Sequence, residues 1–402
     1  MNIKKLMFFI YLLTQVAWGE VSYNINLYNI PNSSSGTVIG IPRQQVVCLS
    51  APGNVVAMWN GRYLYRTTNR GQSWANSFDN GSLGNAGFAH QHLCVWNDTV
   101  WNFSPDVGRS DGFIQLFNGN NLSQVGLYYK TSTASEPIYS GQRDGTSNGM
   151  VMIQRGNGVS VQYCLSQDRG RTWGNWQQLY SYPTNIRIGL ISVADSCMAL
   201  IFNSGTVDVW HWMTTNQTWL REGSDHFING ANQRAYTGTV WHDTVWVAIN
   251  NNDFSTTYCS KRRIGSGPIT IDTVWHGNPA YRGSPEYIGY NALQVVEAID
   301  RPVLFYVHPS NGSSGPDSSK LYIRVWDNGA WSPEQLVSAV AGATNLTAPF
   351  IVPGSHGNYA YCLFRDYNGG HLATVEITVT GEGDQIGPPR DVRWLNGLEP
   401  RK

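Results

Sequence analysis

Ser166-Gln167-Asp168-Arg169-Gly170-Arg171-Thr172-Trp173 follows a strand-like run, Val159 to Leu165, and its reading decides the fold. In such a turn the Asp side chain is expected to accept backbone N–H bonds, Gly to supply a positive φ, and Trp to tuck beneath as a plug. The turn therefore caps and joins two strands of a sheet. A degenerate copy, Thr67-Thr68-Asn69-Arg70-Gly71-Gln72-Ser73-Trp74, follows Arg62 to Arg66. The two tryptophans, Trp74 and Trp173, stand two periods of about fifty residues apart. Asn118-Gly119-Asn120-Asn121-Leu122, Thr214-Thr215-Asn216-Gln217-Thr218-Trp219 and Asp327-Asn328-Gly329-Ala330-Trp331 continue the series.

A second repeated element supports the period. Trp96-Asn97-Asp98-Thr99-Val100-Trp101 recurs as Trp241-His242-Asp243-Thr244-Val245-Trp246. Each reads as strand, two-residue polar turn, strand. Each unit then holds an inner strand, a tight turn, a second strand, a variable loop, a third strand and the capped turn. Inner strands are expected to begin near Val46, His92, Met150, Gly189, Tyr236, Tyr287 and Ala348. With no sustained helical periodicity, this predicts an all-β fold, a β-propeller of four-stranded blades. Seven blades is the expected count and six the alternative. The last unit ends near Val379 without a fourth strand. Val21 to Leu27 alternates and lacks a partner, so this N-terminal strand is expected to close the ring.

Composition excludes several classes. Lys+Arg 27 balance Asp+Glu 27, and charged residues make up 13% of the 402. Coiled coils need more Lys, Glu and Arg, disorder needs few aromatics, and a nucleic-acid surface needs excess positive charge. Met1 to Lys5 carry two lysines, Leu6 to Trp18 are nearly all apolar, and Ala17-Trp18-Gly19 offers small residues for cleavage. Residues 1–19 thus read as a secretory signal peptide, 20–380 as the propeller and 381–402 as a C-terminal tail or linker. No later segment reads as a membrane span, and a secreted monomer without cofactor or metal is the expectation. Cys48, Cys94, Cys164 and Cys362 sit in strand-like surroundings, so buried free thiols are favoured over disulfides.

Ser166-x-Asp168-x-Gly170-x-Thr172-Trp173 matches the Asp-box, or bacterial neuraminidase repeat, and the Asn69, Gly71, Trp74 copy follows it with substitutions. On these residues the chain resembles the sialidase-like superfamily. The resemblance implies arginines from different blades binding a substrate carboxylate bidentately, a Tyr nucleophile helped by a Glu, and an acid–base Asp. The sequence departs from the family at Ile41-Pro42-Arg43, where the order of the opening motif differs. No clear counterpart of the family's first-hairpin Asp stands between Arg62 and Asn69.

The propeller reading itself points to candidates. One face gathers the segments before inner strands, and those segments carry Arg43, His90, His92, Arg143, Arg187, Arg234 and Arg282, with Glu286 and Tyr290. In a chain so poor in charge, this periodic placement suggests a shared anionic pocket. Tyr290 with Glu286 would serve as nucleophile and helper, and the loop acid Asp106 as proton donor. The expected activity is binding, and as an enzyme hydrolysis, of extracellular glycans that carry an acidic sugar. The alternatives are a non-catalytic glycan- or protein-binding propeller and a polysaccharide lyase, in which His90 or His92 and a Tyr remove a proton beside a uronate.

Overall fold

The structure, a computed structural model, describes residues 20–31, 46–59, 63–79, 92–105, 111–131, 139–142, 149–156, 159–183, 186–193, 196–203, 206–213, 216–226, 231–251, 255–265, 268–277, 291–309, 319–338, 345–347, 357–366 and 369–380. They form seven antiparallel sheets, six of them built from consecutive strands. Blade 1 holds Val46–Cys48, Val55–Trp59, Tyr63–Thr67 and Trp74–Asp79. Blade 2 holds His92–Trp96, Thr99–Pro105, Asp111–Asn118 and Gln124–Thr131. Blade 3 holds Tyr139–Gln142, Met150–Gly156, Ser160–Ser166 and Gln177–Ser181. Blade 4 holds Ile186–Val193, Ser196–Asn203, Thr206–Met213 and Thr218–His226. Blade 5 holds Ala231–Trp241, Thr244–Asn251, Thr256–Arg263 and Thr270–His276. Blade 6 holds Asn291–Val296, Arg301–Pro309 and Ser319–Asp327, edged by the short pieces Ala330–Trp331 and Gln335–Leu336. Blade 7 holds Asn345–Thr347, Tyr359–Asp366 and Gly369–Thr380, and takes its outer strand, Glu20–Asn29, from the other end of the chain. The fold is a seven-bladed β-propeller, so the six-blade alternative is set aside.

Burial explains why these segments become these strands. A second strand is sandwiched between two neighbouring blades, so Val55-Val56-Ala57-Met58-Trp59 is buried throughout and reads as a continuous apolar run. An outer strand meets water, so Trp74–Asp79 alternates between half-buried and exposed. The buried side chains gather into seven clusters, and each lies between two consecutive blades. Val47, Leu64, Leu93 and Phe117 join blades 1 and 2. Trp101, Ile114, Met152 and Cys164 join blades 2 and 3. The series continues through blades 3–4, 4–5, 5–6 and 6–7, and Trp59, Tyr65, Leu363 and Leu372 close it between blades 7 and 1. All six cysteines are buried.

The ring closes as the sequence suggests. Glu20–Asn29 pairs residue for residue with Gly369–Thr380, from Glu20 opposite Thr380 to Asn29 opposite His371. Val21, Tyr23 and Ile25 pack on the cluster between blades 6 and 7.

Two expectations need correction. Met150 begins the second strand of blade 3, not the inner one, which is Tyr139–Gln142. Tyr139-Ser140-Gly141-Gln142 carries little of the apolar pattern that marks a strand. Arg143 therefore falls between first and second strands in the chain order. In addition, Arg187 and Arg234 lie within the first strands of blades 4 and 5 rather than ahead of them.

Candidate functional site

Turn chemistry fixes which face is which. In the strongest capped turn, Asp168 Oδ1 accepts from the Thr172 backbone N–H at 2.8 Å and from Ser166 Oγ at 2.8 Å, and Oδ2 accepts from Thr172 Oγ1 at 2.7 Å. Ser166 Oγ in turn accepts from the Gly170 N–H at 2.8 Å. Arg169 and Gly170 take φ values of 61° and 78°. Burial works against ionisation of Asp168, but the bonds from Thr172, Ser166 and the Arg171 backbone outweigh it and hold the carboxyl below the usual range. In the first copy Asn69 Oδ1 accepts from the Ser73 N–H and from Thr67 Oγ1, both at 2.9 Å, while Gly71 N–H bonds Thr67 Oγ1 at 2.9 Å. Side-chain bonds through Ser166, Asp168 and Thr172 thus hold the one turn, and bonds through Thr67, Asn69 and Ser73 hold the other. The plugs differ: Trp173 Nε1 bonds Gly170 O inside its own turn, whereas Trp74 Nε1 bonds Asn29 O of blade 7.

Both turns also clasp the preceding blade. Arg169 lies over the Trp96 ring at 4.6 Å and its carbonyl accepts from Trp101 Nε1 at 3.0 Å. Arg70 lies over the Tyr359 ring at 4.1 Å and its carbonyl accepts from Thr374 Oγ1 at 2.7 Å.

The first-hairpin turns meet these capped turns. Asn97 and Asp98, like His242 and Asp243, have positive φ at both positions, the type I′ geometry that matches strand twist. Gly119 N–H bonds Asp98 O at 2.7 Å, Arg70 N–H bonds Gly53 O at 3.0 Å, and Ile264 N–H bonds Asp243 O at 2.7 Å. Both turn types therefore share one face. Because the strands alternate in direction, the leading ends of the first strands lie on the opposite face, around the axis where first strands of neighbouring blades run side by side.

That face holds the sequence candidates whose backbone is described. His92 opens the first strand of blade 2, opposite Phe103. Arg187 is second in the first strand of blade 4, opposite Phe202. Arg234 lies in the first strand of blade 5, in the irregular stretch between Ala231 and Tyr236. Blades 4 and 5 are neighbours, so Arg187 and Arg234 stand near the leading ends of adjacent axial strands. Arg43, His90, Asp106, Arg282, Glu286 and Tyr290 lie outside the described residues. Among the described residues, no group of three His, Cys, Asp or Glu side chains could hold a metal ion, and no helix is long and apolar enough to cross a membrane.

Sequence reasoning missed a charged cluster on the rim between blades 3 and 4. Asp208, on the third strand of blade 4, is buried to 1% exposure. Its Oδ2 accepts from Tyr182 OH at 2.7 Å and from Arg221 Nη2 at 2.6 Å. Its Oδ1 has no hydrogen-bond partner. Trp210 Nε1 donates to Tyr182 OH at 3.1 Å, and the Arg221 guanidinium lies 5.1 Å from the Tyr180 ring centre. Burial, then the bond to Asp208, raises the Tyr182 phenol far above its ordinary value, so it stays a proton donor. The one available signal was Asp208 itself, a lone acid in the apolar run Val207-Asp208-Val209-Trp210.

A comparable cluster joins Tyr306, Arg324 and Glu334 in blade 6. Arg324 Nε donates to Tyr306 OH at 2.9 Å, and Tyr306 donates to Glu334 Oε2. Tyr306 is fully buried, and that burial pushes its phenol up.

Comparison with solved structures agrees with this architecture. The lectin BP39L from Burkholderia pseudomallei superposes with a TM-score of 0.58 at 12% identity, over 85% of this chain and 98% of that one. The WD40 repeats of RRP9 give 0.56 at 9% identity, over 89% and 100%. A functionally unknown protein from Desulfotomaculum acetoxidans gives 0.52 at 12% identity, over 79% and 96%. At such identities the likeness defines the class, a seven-bladed propeller, and nothing narrower. No protein-family model and no curated protein matches the chain.

Proposed function

We propose that the protein is an exported glycan-binding propeller whose axial mouth, on the face opposite the capped turns, takes an acidic sugar. The observation that carries this reading is the position of Arg187 and Arg234 near the leading ends of adjacent axial strands, with His92 at the same level of blade 2. Arginines on separate blades suit a carboxylate because each guanidinium offers a planar pair of donors. A lectin on a similar fold is compatible with a binding role. Export rests on the leader read in residues 1–19.

The test is a glycan array that includes sialylated and uronate-containing members. Retention of acidic glycans is expected, with loss in an Arg187→Ala, Arg234→Ala double variant; unchanged retention in that variant refutes the axial site. A second reading, sialidase-type hydrolysis through Tyr290, Glu286 and Asp106, is favoured by the match of Ser166 to Trp173 to the Asp-box. Release of sialic acid from a fluorogenic sialoside tests it, and binding without release removes it. Exported protein beginning at Glu20 would support the leader.

A further inference from the structure

We propose that the rim between blades 3 and 4 is a second carbohydrate site, separate from the axial mouth, and that it takes a neutral pyranose. Two blades contribute. Tyr180, on the outer strand of blade 3, keeps 38% of its surface exposed. Arg221, on the outer strand of blade 4, has a side chain 37% exposed and spreads over the rings of Tyr180 and Trp210. Beneath them lies Asp208, whose two oxygens are used unequally. Oδ2 takes both donors, and Oδ1 takes none although the residue is buried.

A buried carboxylate oxygen without a donor is uncommon and calls for one. A sugar hydroxyl meets that need, because it donates and accepts at once. It can donate to Oδ1 and accept from the guanidinium, which spends one N–H group on Asp208 and has five in all. Arg221 is the movable half of the ion pair, since its side chain reaches water and that of Asp208 does not. The exposed Tyr180 ring offers an apolar face to the C–H side of a pyranose. The charge of Asp208 is already balanced by Arg221, so the site is neutral as a whole. An acidic sugar would bring an unpaired charge to it, whereas a neutral one would not. This separates it from the axial mouth, which is proposed to take an acidic sugar. The rim site stands on its own residues and does not depend on the axial one.

The experiment titrates the full chain with methyl β-galactopyranoside, methyl α-mannopyranoside and N-acetylneuraminic acid. Binding is followed by tryptophan fluorescence, which Trp210 reports, and by saturation-transfer NMR. At least one neutral glycoside is expected to bind. Tyr180→Ala, a change at an exposed position, is expected to weaken it about tenfold. Arg221→Lys, which keeps the charge but loses the planar fork, is expected to weaken it as well. Arg187→Ala is expected to leave it unchanged. Three results overturn the proposal: neither neutral glycoside binds, binding survives Tyr180→Ala undiminished, or only N-acetylneuraminic acid binds. Loss of N-acetylneuraminic acid binding in the Arg187→Ala protein bears on the axial reading alone, so the two failures are distinguishable.

Discussion

Asp168 and Asn69 occupy the same position in two capped turns, and the protein thereby contains its own control for the value of a carboxylate there. Asp168→Ala removes the hydrogen bonds from the Thr172 N–H, Thr172 Oγ1 and Ser166 Oγ, together with the Arg171 backbone interaction. At roughly 0.5–1.5 kcal/mol each, discounted because the turn touches water, the expected cost is about 2 kcal/mol. Asp168→Asn should cost far less, about 0.5 kcal/mol, because Asn69 shows a carboxamide accepting the matching N–H and hydroxyl at 2.9 Å. The small remainder is electrostatic and has a defined pH dependence. The folded carboxyl titrates below its unfolded value, so its contribution is complete above about pH 4 and is lost as pH falls through the lowered folded pKa. The advantage of wild type over Asp168→Asn should therefore shrink on acidification below pH 4. Urea unfolding of the three proteins at pH 7 and at pH 3 measures this, with the midpoint compared at constant slope. An Asp168→Ala protein as stable as wild type would refute the reasoning. So would an Asp168→Asn protein as weak as the alanine variant, or a gap that widens in acid.

Three further outcomes are expected. Arg221→Ala leaves the Asp208 charge buried and unpaired; it should cost on the order of 2–3 kcal/mol, below the full buried-pair range because the arginine is partly exposed. The joint change Arg221→Met, Asp208→Leu should recover most of that in chemical denaturation. Gly71→Ala should destabilise more than Gly329→Ala: both have positive φ, but a Cβ on Gly71 would lie 2.8 Å from Tyr28 Cδ2, whereas Gly329 has open space around it. Comparison of thermal midpoints decides this, and equal losses would mean that backbone strain alone sets the cost. Deleting residues 20–29 strips the partner from Gly369–Thr380 and exposes an edge strand, so light scattering should show association. A peptide of residues 20–29 added in trans should suppress it, and a truncated chain that stays monomeric would contradict the closure argument.

The blade number was legible because its signals are local. A turn such as Ser166 to Trp173 needs only a few neighbouring residues to specify its bonds, and the type I′ joints at Asn97-Asp98 and His242-Asp243 need two. The pairing of Val21 to Leu27 with the last strand was legible for a different reason, namely that an alternating run without a neighbour must find an edge elsewhere. The first strand of blade 3 was not legible, since Tyr139-Ser140-Gly141-Gln142 carries no apolar alternation. Nor was the rim cluster, since Tyr182, Asp208 and Arg221 come from three strand regions of two blades and meet only when the blades stack. The axial candidates stand between these cases: periodicity named Arg187 and Arg234, and the strand boundaries moved them from the approach to the strand into the strand itself.

The clasp between the two ends of the chain also sets an order of events. Thr380 Oγ1 donates to Glu20 O across 360 residues of sequence, so during synthesis Glu20–Asn29 waits for Gly369–Thr380. Six interfaces between blades can assemble as the chain lengthens, but the seventh cannot form until the final strand is present. Until then the molecule is an open arc with unfinished ends. A chain built this way reaches its ring in one late step, the pairing of Glu20–Asn29 with Gly369–Thr380.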